Sequence, residues 1–458
     1  MQDLTDLTAT QLAAAIQERR VSSLEALEAY LARIAEHNPA LNAIITLDEE
    51  GARRRAAESD AALARGEMWG PLHGVPMTLK DSHSTGGMRT TAGHPPLADY
   101  TPAEDGTVAA RLKGAGAIII GKTNVPPLLM DIQSNNDIFG RTSNPYNLER
   151  TPGGSSGGAA AALAAHLTPL EIGSDMAGSV RIPAHFCGVF GLKTTEGRVS
   201  MHGHIPDLPG AVRGFRMMES IGPLARSVED LELGFRIIAG PDGRDHEVPP
   251  IPLRAVPHLS PHDLRIAWAP TFPGVPVAGA IRDALHRVAT ELERAGATVE
   301  EALPDVGFKE LARARTALSA LVQQATESGP AEEMPSLRDY LTTLHRRDVF
   351  MSTWEDFFGE WDALLCPVCM ITAFPHCPTN TPLQVDGEAV NYWRAIGHTA
   401  PFNFTGHPAV VVPTGTDSEG LPIGVQVVGK RWDEERLLGI ARLLESLQSA
   451  VTLEPPTQ

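Results

Sequence analysis

Apolar and polar positions near the start of the chain alternate with the period of a helix. Capping boxes of the form S/T-x-x-E/Q begin at Thr8 and at Ser22, and this pattern marks the first turn of a helix. The pattern predicts that residues 1–68 are helical. Pro39 is expected to end the second helix, because proline lacks the backbone N–H that a helix interior needs. The apolar face of that helix consists of Leu24, Leu27, Leu31 and Ile34.

Beyond residue 68 the apolar residues occur in short runs of strand length. Residues 117–120, 409–412 and 423–428 each have the composition of a buried strand, and a final helix is predicted after Asp433. Residues 264–302 have a strand–helix–strand pattern. Strands that alternate with helices predict an α/β fold, in which helices cover both faces of a mixed central sheet.

We predict a single domain over residues 1–458. The Pro-rich stretch between its two larger parts has the composition of a surface connection. Its parts are a helical region at 1–68, a glycine-rich core at 69–240, the Pro-rich connection at 241–263 and a C-terminal part at 264–458 that completes the sheet.

The overall charge argues against nucleic-acid and membrane partners. The chain has 38 Lys and Arg residues and 56 Asp and Glu residues, which gives a formal net charge of −18 at pH 7. Such a chain repels nucleic-acid backbones and anionic membrane surfaces. It has no run of about 18 apolar residues and no signal-like start, so the expected location is the cytoplasm. We therefore expect a small-molecule amide as the only partner, no nucleic acid, no membrane, and a monomer or homodimer.

Three cysteines near residue 370 have the spacing of possible zinc ligands. Cys366 and Cys369 form a CxxC motif, and His376 and Cys377 follow closely. The segment 364–378 is apolar and rich in proline, which favours a buried turn with inert thiols. We predict no metal and no cofactor, and a metal assay would decide between the two interpretations.

Residues 116–123 match the P-loop expression GxxxxGK[ST], and we interpret this match as accidental. A phosphate-binding loop needs flexible residues between its glycines and a helix after its lysine. Here residues 117–120 are a predicted strand, and Pro126 and Pro127 prevent an immediate helix.

Residues 154–158 match GxSxG, with Ser156 in the place of the nucleophile of α/β-hydrolases. That nucleophile requires a strand that runs directly into the serine, whereas residues 144–152 have the composition of a loop. A Ser-His-Asp hydrolase that uses Ser156 is therefore an alternative to the interpretation below.

Several glycine- and serine-rich blocks, taken together, resemble the amidase signature family. The resemblance covers essentially the whole chain and implies an α/β/α fold and an amidase that cleaves carbon–nitrogen bonds through a Ser-cisSer-Lys triad without a cofactor. The blocks are GVPMTLKD at 74–81, GKTN at 121–124, GRTSNPYN at 140–147, TPGGSSGG at 151–158, SDMAGSVR at 174–181 and RIPAHFCGVFGLK at 181–193.

Carried over position by position, the triad is Lys80, Ser155 and Ser179. The resemblance implies that Ser179 attacks the substrate, that Ser155 relays the proton to a neutral Lys80, and that the peptide bond before Ser155 is cis. A lysine in this role needs its pKa lowered from about 10.4 to roughly 7 to 8 by burial. The oxyanion hole is expected at Met176, Ala177, Gly178 and Ser179, and the supporting hydrogen-bonding residues at Ser156, Asp175 and Arg181.

Two departures from the family's pattern bear on the substrate. Ala177 stands where many members have Gly, and Pro127 stands near a position where many have an acidic residue. Ile396 stands where the A-type subunit of the glutamine-dependent tRNA amidotransferase usually has Asp. An apolar side chain cannot pair with the ammonium group of glutamine. We therefore expect a neutral, apolar or aryl amide that is bound by Leu129, Met130 and Ile132. The alternatives are a carbamate or ester hydrolase, the A-type amidotransferase component itself, and a catalytically silent binding protein.

Overall fold

The computed structural model describes residues 3–205, 216–326 and 336–447. Both predicted capping boxes are present, at Thr8 and at Ser22. The helix after Ser22 continues through Pro39, so the predicted end at Pro39 is wrong. Pro39 lies in the last turn, where it removes a single backbone hydrogen bond, and Asn42 closes the helix in the left-handed conformation.

Helices and short strands alternate along the chain, as the apolar pattern predicts, except that the region predicted to be helical, residues 1–68, also contains the strand Ile44–Leu47. The helices are α1 (Ala9–Gln17), α2 (Ser23–Leu41), α3 (Glu49–Ala64), α4 (Thr107–Gly114), α5 (Gly157–Ala164), α6 (Arg181–Cys187), α7 (Val228–Ile238), α8 (Gly279–Ala295), α9 (Phe308–Thr326), α10 (Leu337–Glu360), α11 (Ala400–Phe404) and α12 (Glu434–Leu447). The strands are β1 (Ile44–Leu47), β2 (Pro76–Lys80), β3 (Ile118–Thr123), β4 (Asn135–Asn136), β5 (Gly140–Arg141), β6 (Leu170–Asp175), β7 (Phe190–Lys193), β8 (Ser220–Ala225), β9 (Arg265–Trp268), β10 (Thr298–Glu301), β11 (Ala363–Pro367), β12 (Leu383–Val385), β13 (Glu388–Val390), β14 (Ala409–Thr416) and β15 (Pro422–Val428).

An eight-stranded mixed sheet forms the centre of the molecule, in the order β10-β9-β11-β15-β14-β7-β8-β6. The β9-α8-β10 segment is the predicted strand–helix–strand unit, and its two strands pair in parallel. Strands β14 and β15 pair in antiparallel fashion, which makes the sheet mixed. The predicted α/β class is therefore confirmed.

Helices cover both faces of this sheet. Val410 and Val412 of β14 lie in an apolar cluster with Leu438 of α12, whereas Val411 lies in a separate cluster with Ala184 of α6. Neighbouring residues of a strand point to opposite faces, so α12 and α6 lie on opposite sides. Helix α5 packs against α6, while α7 and α8 pack against α12.

A three-stranded sheet in the order β1-β3-β2 lies beside the large sheet. Its strand β2 packs against β6, and the Thr78 N–H donates to Thr168 Oγ1 at 3.1 Å across this contact. Strand β3 spans Ile118–Thr123, so Lys122 belongs to a strand and the P-loop match at 116–123 is accidental, as predicted. Because β2 and β6 lie side by side, the end of β2 is brought to the end of β6.

The described residues contain no helix that is both long enough and apolar enough to cross a bilayer.

Candidate active site

Lys80 is the last residue of β2, and its amine lies inside the protein. The Nζ atom donates to Ser155 Oγ at 2.8 Å, to Ser174 Oγ at 3.1 Å and to Ser174 O at 3.3 Å. The side chain has no exposure to solvent. A serine of the 151–158 block is thus in direct contact with the lysine of the 74–81 block, although 75 residues separate them.

Burial lowers the pKa of Lys80 to about 7, and the negative charges of Glu219, Asp175 and Glu171 act in the opposite direction. An amine with this pKa is about half neutral at pH 7, so it can accept a proton under ordinary conditions.

Ser155 lies in the glycine-rich loop before α5. The Gly154–Ser155 peptide bond is cis, as the resemblance implies. A Cβ atom at Gly154 would lie 2.7 Å from both Asp131 O and Gln133 N, so only glycine fits at this position. The loop is therefore packed closely against the backbone of residues 131–133.

Ser179 stands in the turn between β6 and α6, at the edge of the sheet where β2 ends. Its carbonyl oxygen accepts a hydrogen bond from the Ser156 N–H at 3.0 Å, which ties this turn to the loop that carries Ser155. Lys80 and Ser155 are buried, whereas Ser179 is partly exposed. A substrate can therefore reach Ser179 while the groups behind it stay shielded from water.

The turn before Ser179 carries backbone N–H groups that could stabilise an oxyanion. Those of Met176, Ala177 and Ser179 donate to no acceptor among the described residues. The Gly178 N–H instead donates to Asp175 Oδ1 at 2.8 Å, so it is already engaged in the unliganded protein. Ala177 does not have a positive φ angle, so its methyl group causes no backbone strain.

A buried ion pair between Asp175 and Arg181 holds both ends of this turn. Arg181 Nε donates to Asp175 Oδ2 at 3.0 Å, and Nη2 donates to Oδ1 at 2.9 Å. Burial alone would raise the pKa of Asp175, but the charge and hydrogen bonds of Arg181 outweigh it and hold that pKa well below its usual range. Asp175 also accepts a hydrogen bond from the Val180 N–H at 3.1 Å, so the ionised carboxylate fixes the turn from β6 to α6.

Several residues around the site were not predicted from the sequence. Asn403 donates to Asp175 O at 2.7 Å, and Thr399 Oγ1 donates to Ala177 O at 2.5 Å. Both lie in the segment that also contains Ile396, and the resemblance of this segment to the family could have pointed to them. Ser174 contacts Lys80 directly, and although it is the first residue of the 174–181 block, the resemblance assigned it no role.

The three predicted substrate-binding residues differ in position. Ile132 is buried, and it belongs to the same apolar cluster as Val180, next to Ser179. Leu129 is partly buried and has a positive φ angle of 66°. Met130 is 65% exposed. Ile132 is thus the member of this group that belongs to the apolar cluster beside the Ser179 turn.

The cysteine segment was predicted to be a buried turn, but its first part is strand β11, which contains Cys366, and only the bends after it, which contain Cys369, are irregular. Cys366 and Cys369 are buried, and all four cysteines are free. Burial raises the pKa of Cys369 to about 11, so its thiol stays protonated at neutral pH. Within residues 3–205, 216–326 and 336–447, no group of three or more His, Cys, Asp or Glu side chains is arranged to hold a metal ion.

The segment before Ser156 lacks the strand that an α/β-hydrolase nucleophile requires. Residues 142–156 are all described and form turns, bends and isolated bridges. Ser156 is the N-cap residue of helix α5 and is fully buried. The geometry therefore favours Ser179 over Ser156 as the group that meets a substrate.

Comparison with known proteins identifies the family. The model of the family described as Amidase matches residues 25–327 and 313–438. The A-type subunit of the glutamyl-tRNA(Gln) amidotransferase of Roseiflexus sp. (strain RS-1) is 35% identical over 487 residues, which cover 95% of each chain. The corresponding protein of Roseiflexus castenholzii is 36% identical and covers 96% of this chain and 95% of its own.

Solved structures of amidase-signature enzymes have the same fold. A bacterial aryl acylamidase is 25% identical, with a TM-score of 0.82 and coverage of 96% of both chains. A 6-aminohexanoate cyclic dimer hydrolase, solved with its substrate, is 28% identical, with a TM-score of 0.83 and coverage of 99% of both chains. A fatty acid amide hydrolase is 25% identical, with a TM-score of 0.85 and coverage of 99% of this chain and 87% of its own.

The relatives correct the expectation about partners. The charge pattern led us to expect only a small-molecule substrate, no nucleic acid, and a monomer or homodimer. This expectation is wrong, because the relatives at 35% and 36% identity are named as the A-type component of an amidotransferase for glutamyl-tRNA(Gln). A net charge summed over the chain does not reveal a local surface that binds a specific partner.

The family match, the full-length relatives and the solved structures agree with the arrangement of the site. Lys80 of the 74–81 block contacts Ser155 of the 151–158 block, and the backbone of that second block is hydrogen-bonded to Ser179 of the 174–181 block. The chain belongs to the amidase signature family and is a hydrolase of carbon–nitrogen bonds.

Proposed function

We propose that this protein hydrolyses an amide bond through an acyl-enzyme formed on Ser179, with Ser155 as the proton relay and Lys80 as the base. The observation that carries the proposal is the 2.8 Å contact between the buried Lys80 amine and the Ser155 hydroxyl. A serine hydroxyl is a weak nucleophile until a base removes its proton, and a lysine can be that base only when it is neutral.

The steps of the reaction follow from this arrangement. Ser179 attacks the substrate carbonyl while its proton passes through Ser155 to Lys80. The tetrahedral intermediate collapses, the carbon–nitrogen bond breaks, and the proton returns through Ser155 to the leaving amine. Water then attacks the acyl-enzyme with the same groups in the same roles, which releases the acid and restores Ser179.

The free N–H groups of the turn suit the developing negative charge. The amides of Met176, Ala177 and Ser179 are the proposed donors, because the Gly178 amide is engaged by Asp175. Removal of one such donor typically lowers the rate by about 100- to 1000-fold. The Asp175–Arg181 pair would keep these donors in place before the substrate arrives.

We propose a neutral, apolar or aryl amide as the substrate. Ile396 is 9% exposed, and it belongs to an apolar cluster that includes Ile132 and Val180 and contacts Ala177. Apolar surface thus extends up to the turn that carries the proposed nucleophile. An ammonium group next to Ile396 would lose its hydration without gaining a partner. An aryl carbamate or an ester could use the same groups.

A second candidate function is release of ammonia from glutamine, as in the A-type component of an amidotransferase. The two relatives at 35% and 36% identity favour it. Ile396 argues against it, since this residue offers no charge for the glutamine amine. Glutaminase activity of the purified protein, or copurification of partner proteins that restore such activity, would favour this second candidate.

The proposal can be tested with a panel of substrates: p-nitroacetanilide, a longer-chain anilide, an aryl carbamate, a p-nitrophenyl ester and glutamine. We expect the wild type to release the arylamine and Ser179→Ala to lose this activity. Ser352→Ala, at an exposed helical position, is the control and should match the wild type. If Ser179→Ala keeps full activity while Ser156→Ala loses it, the nucleophile is Ser156 and the proposal is wrong.

A further inference from the structure

Glu219 is a buried carboxylate at the start of β8, close to the proposed base. Its side chain is 4% exposed. The next residue, Ser220, pairs with Asp175 across the antiparallel β6–β8 ladder. This pairing places Glu219 beside the end of β6, where Ser174 and the Lys80 amine also lie.

A serine hydroxyl connects Glu219 to Lys80. Lys80 Nζ donates to Ser174 Oγ at 3.1 Å, and the Ser174 side chain also acts on the Glu219 carboxylate as a hydrogen-bonding group, which partly offsets the effect of burial on the pKa of Glu219. A hydroxyl accepts from one neighbour and donates to another, so Ser174 can join an amine to a carboxylate in this way. The connection lies on the side of Lys80 away from Ser155.

Glu219 also lines a cavity of about 380 Å³, which is large enough for several water molecules. Lys80 itself has no exposure, and it does not line this cavity. Glu219 therefore borders a space that can hold water and also acts electrostatically on the buried amine. On the far side, the cavity is bordered by Glu196, Arg216, Asp245, His246, Glu247 and Arg431.

Other charged or titratable groups lie near this pair. Asp175 and Glu171 on β6 face Lys80, and the positive charge of Lys80 also acts on His83 and His204. His204 Nδ1 lies 3.7 Å from Glu219 Oε1. Burial lowers the pKa of His204 to about 3, so this histidine is neutral and does not compete for the Glu219 charge.

We propose that Glu219 is a positioning residue that shares a proton with Lys80 through the Ser174 hydroxyl and exchanges it with water in the cavity. This inference rests on the proposed function, because it concerns the protonation state of the base. It assigns a role to a residue that touches neither the substrate nor the triad serines.

The proton balance is simple. Lys80 in its ammonium form gives a proton to Ser174, and Ser174 gives its own hydroxyl proton to the Glu219 carboxylate. The products are the neutral amine, an unchanged serine and a carboxylic acid. Water in the cavity then takes the proton from Glu219. No bond between heavy atoms changes, and no oxidant or reductant is needed.

Burial shifts the two ends of this path toward each other. It lowers the pKa of Lys80 and raises the pKa of Glu219, and the two groups titrate as one coupled pair.

Glu219→Gln tests the inference through the dependence of kcat/KM on pH. The negative charge of Glu219 favours the ammonium form of Lys80, so removal of this charge should lower the pKa of Lys80. The acid limb of the profile, where kcat/KM falls as the pH is lowered, should therefore move to lower pH by about one unit. Glu219→Asp keeps the charge, and its acid limb should stay close to that of the wild type. Glu247→Gln makes the same chemical change at an exposed residue on the cavity rim, and it should leave the profile unchanged.

Ser174→Ala and Ser174→Thr test the hydroxyl link separately. Loss of the hydroxyl removes an acceptor for the ammonium form, so Ser174→Ala should also move the acid limb to lower pH, and Ser174→Thr should restore it. Thermal unfolding checks that each variant is folded. If Glu219→Gln does not fold, the Ser174 variants decide whether the inference holds.

An unmoved acid limb in folded Glu219→Gln, with a loss of rate that is the same at every pH, would overturn the inference. So would an unmoved limb in Ser174→Ala. Failure of the proposed function has a different result, because Ser179→Ala or Lys80→Met would then remain active. If both of these variants are inactive and the acid limb does not move in Glu219→Gln, only the role of Glu219 is refuted.

Discussion

Strands β2 and β3 lie next to each other, and each carries a fully buried lysine. Burial lowers the pKa of Lys80 to about 7 and that of Lys122 to about 8. Lys80 donates to the hydroxyl of Ser155. The next residue, Ser156, donates its backbone N–H to the carbonyl oxygen of Ser179, in a partly exposed turn. Lys122 donates to the carbonyl oxygen of His83 and to Thr85 Oγ1, and both of these are buried.

The comparison shows that a lowered pKa does not by itself identify a catalytic base. Both amines are buried, but only Lys80 contacts the loop that is hydrogen-bonded to the partly exposed turn of Ser179, the proposed nucleophile. Lys122 also has the charge of Asp81 nearby, which favours its ammonium form. We therefore assign a chemical role to Lys80 and a structural role to Lys122, and the predictions below test this difference.

The largest expected effect is that of Lys80→Met on activity. Methionine keeps the apolar stem but cannot accept a proton, so kcat/KM should fall by roughly 1000-fold, within the range known for loss of a general base. Because the buried amine is costly to keep, the melting temperature should not fall. Steady-state kinetics and thermal unfolding of the same preparation check both points. Activity within tenfold of the wild type would remove Lys80 from the mechanism.

The pH dependence of the wild type should show the titration of Lys80. Its pKa is lowered to about 7, so the amine is neutral above this pH and protonated below it. We therefore expect kcat/KM to fall about tenfold for each pH unit below the acid limb. A profile of kcat/KM against pH checks this, and a rate that does not change across the acid range would contradict a lysine base.

Lys122→Met should mainly affect stability. Its removal leaves the buried Asp81 carboxylate without the nearby positive charge, which should lower the free energy of unfolding by about 3 kcal/mol. Activity per folded molecule should stay within about tenfold of the wild type, since Lys122 contacts no residue of the triad. Denaturant unfolding with an activity assay measures both quantities.

Lys113→Met is the matched control for Lys122→Met. Lys113 is partly exposed and pairs with Asp105, so its loss should change the free energy of unfolding by less than about 1 kcal/mol. An equal loss of stability in both variants would contradict the buried structural role of Lys122. A loss of activity in Lys122→Met as large as that in Lys80→Met would end the distinction between the two lysines.

The smallest expected effect is that of Ala177→Gly. Ala177 has no positive φ angle, so glycine relieves no strain there. Activity should change by less than about threefold, and the free energy of unfolding should fall by about 0.5–1 kcal/mol because glycine is more flexible in the unfolded chain. A gain in activity above tenfold would show that the Ala177 methyl group obstructs the turn.

The sequence identified those parts of the site that lie within motif blocks. Lys80, Ser155 and Ser179 could be named because their blocks resemble a family, and the main strands and helices followed from apolar periodicity. Ser174 lies in the 174–181 block but has no role in the triad pattern, and Glu219 and Asn403 lie outside the blocks, so the roles of all three arise from contacts made only in the fold. Ser174 lies 94 residues from Lys80 along the chain, and Asn403 lies 228 residues from Asp175.

Two further differences have local causes. Pro39 lies in the final turn of α2, where a proline is tolerated, so a rule for helix interiors did not apply. The Gly178 amide is engaged because the Asp175 side chain folds back toward its own turn. A resemblance transfers the position of a residue, but the partner of each N–H group depends on the surrounding structure.

The central claim is that Ser179 forms an acyl-enzyme after Lys80 takes up its proton. The most direct test is to quench a reaction with a p-nitrophenyl ester and to locate the acyl group by mass spectrometry of the digested protein. We predict an acyl group on Ser179 in the wild type, and none in Lys80→Met under the same conditions. An acyl group on Ser156, or equal labelling of Ser179 in Lys80→Met, would contradict the account.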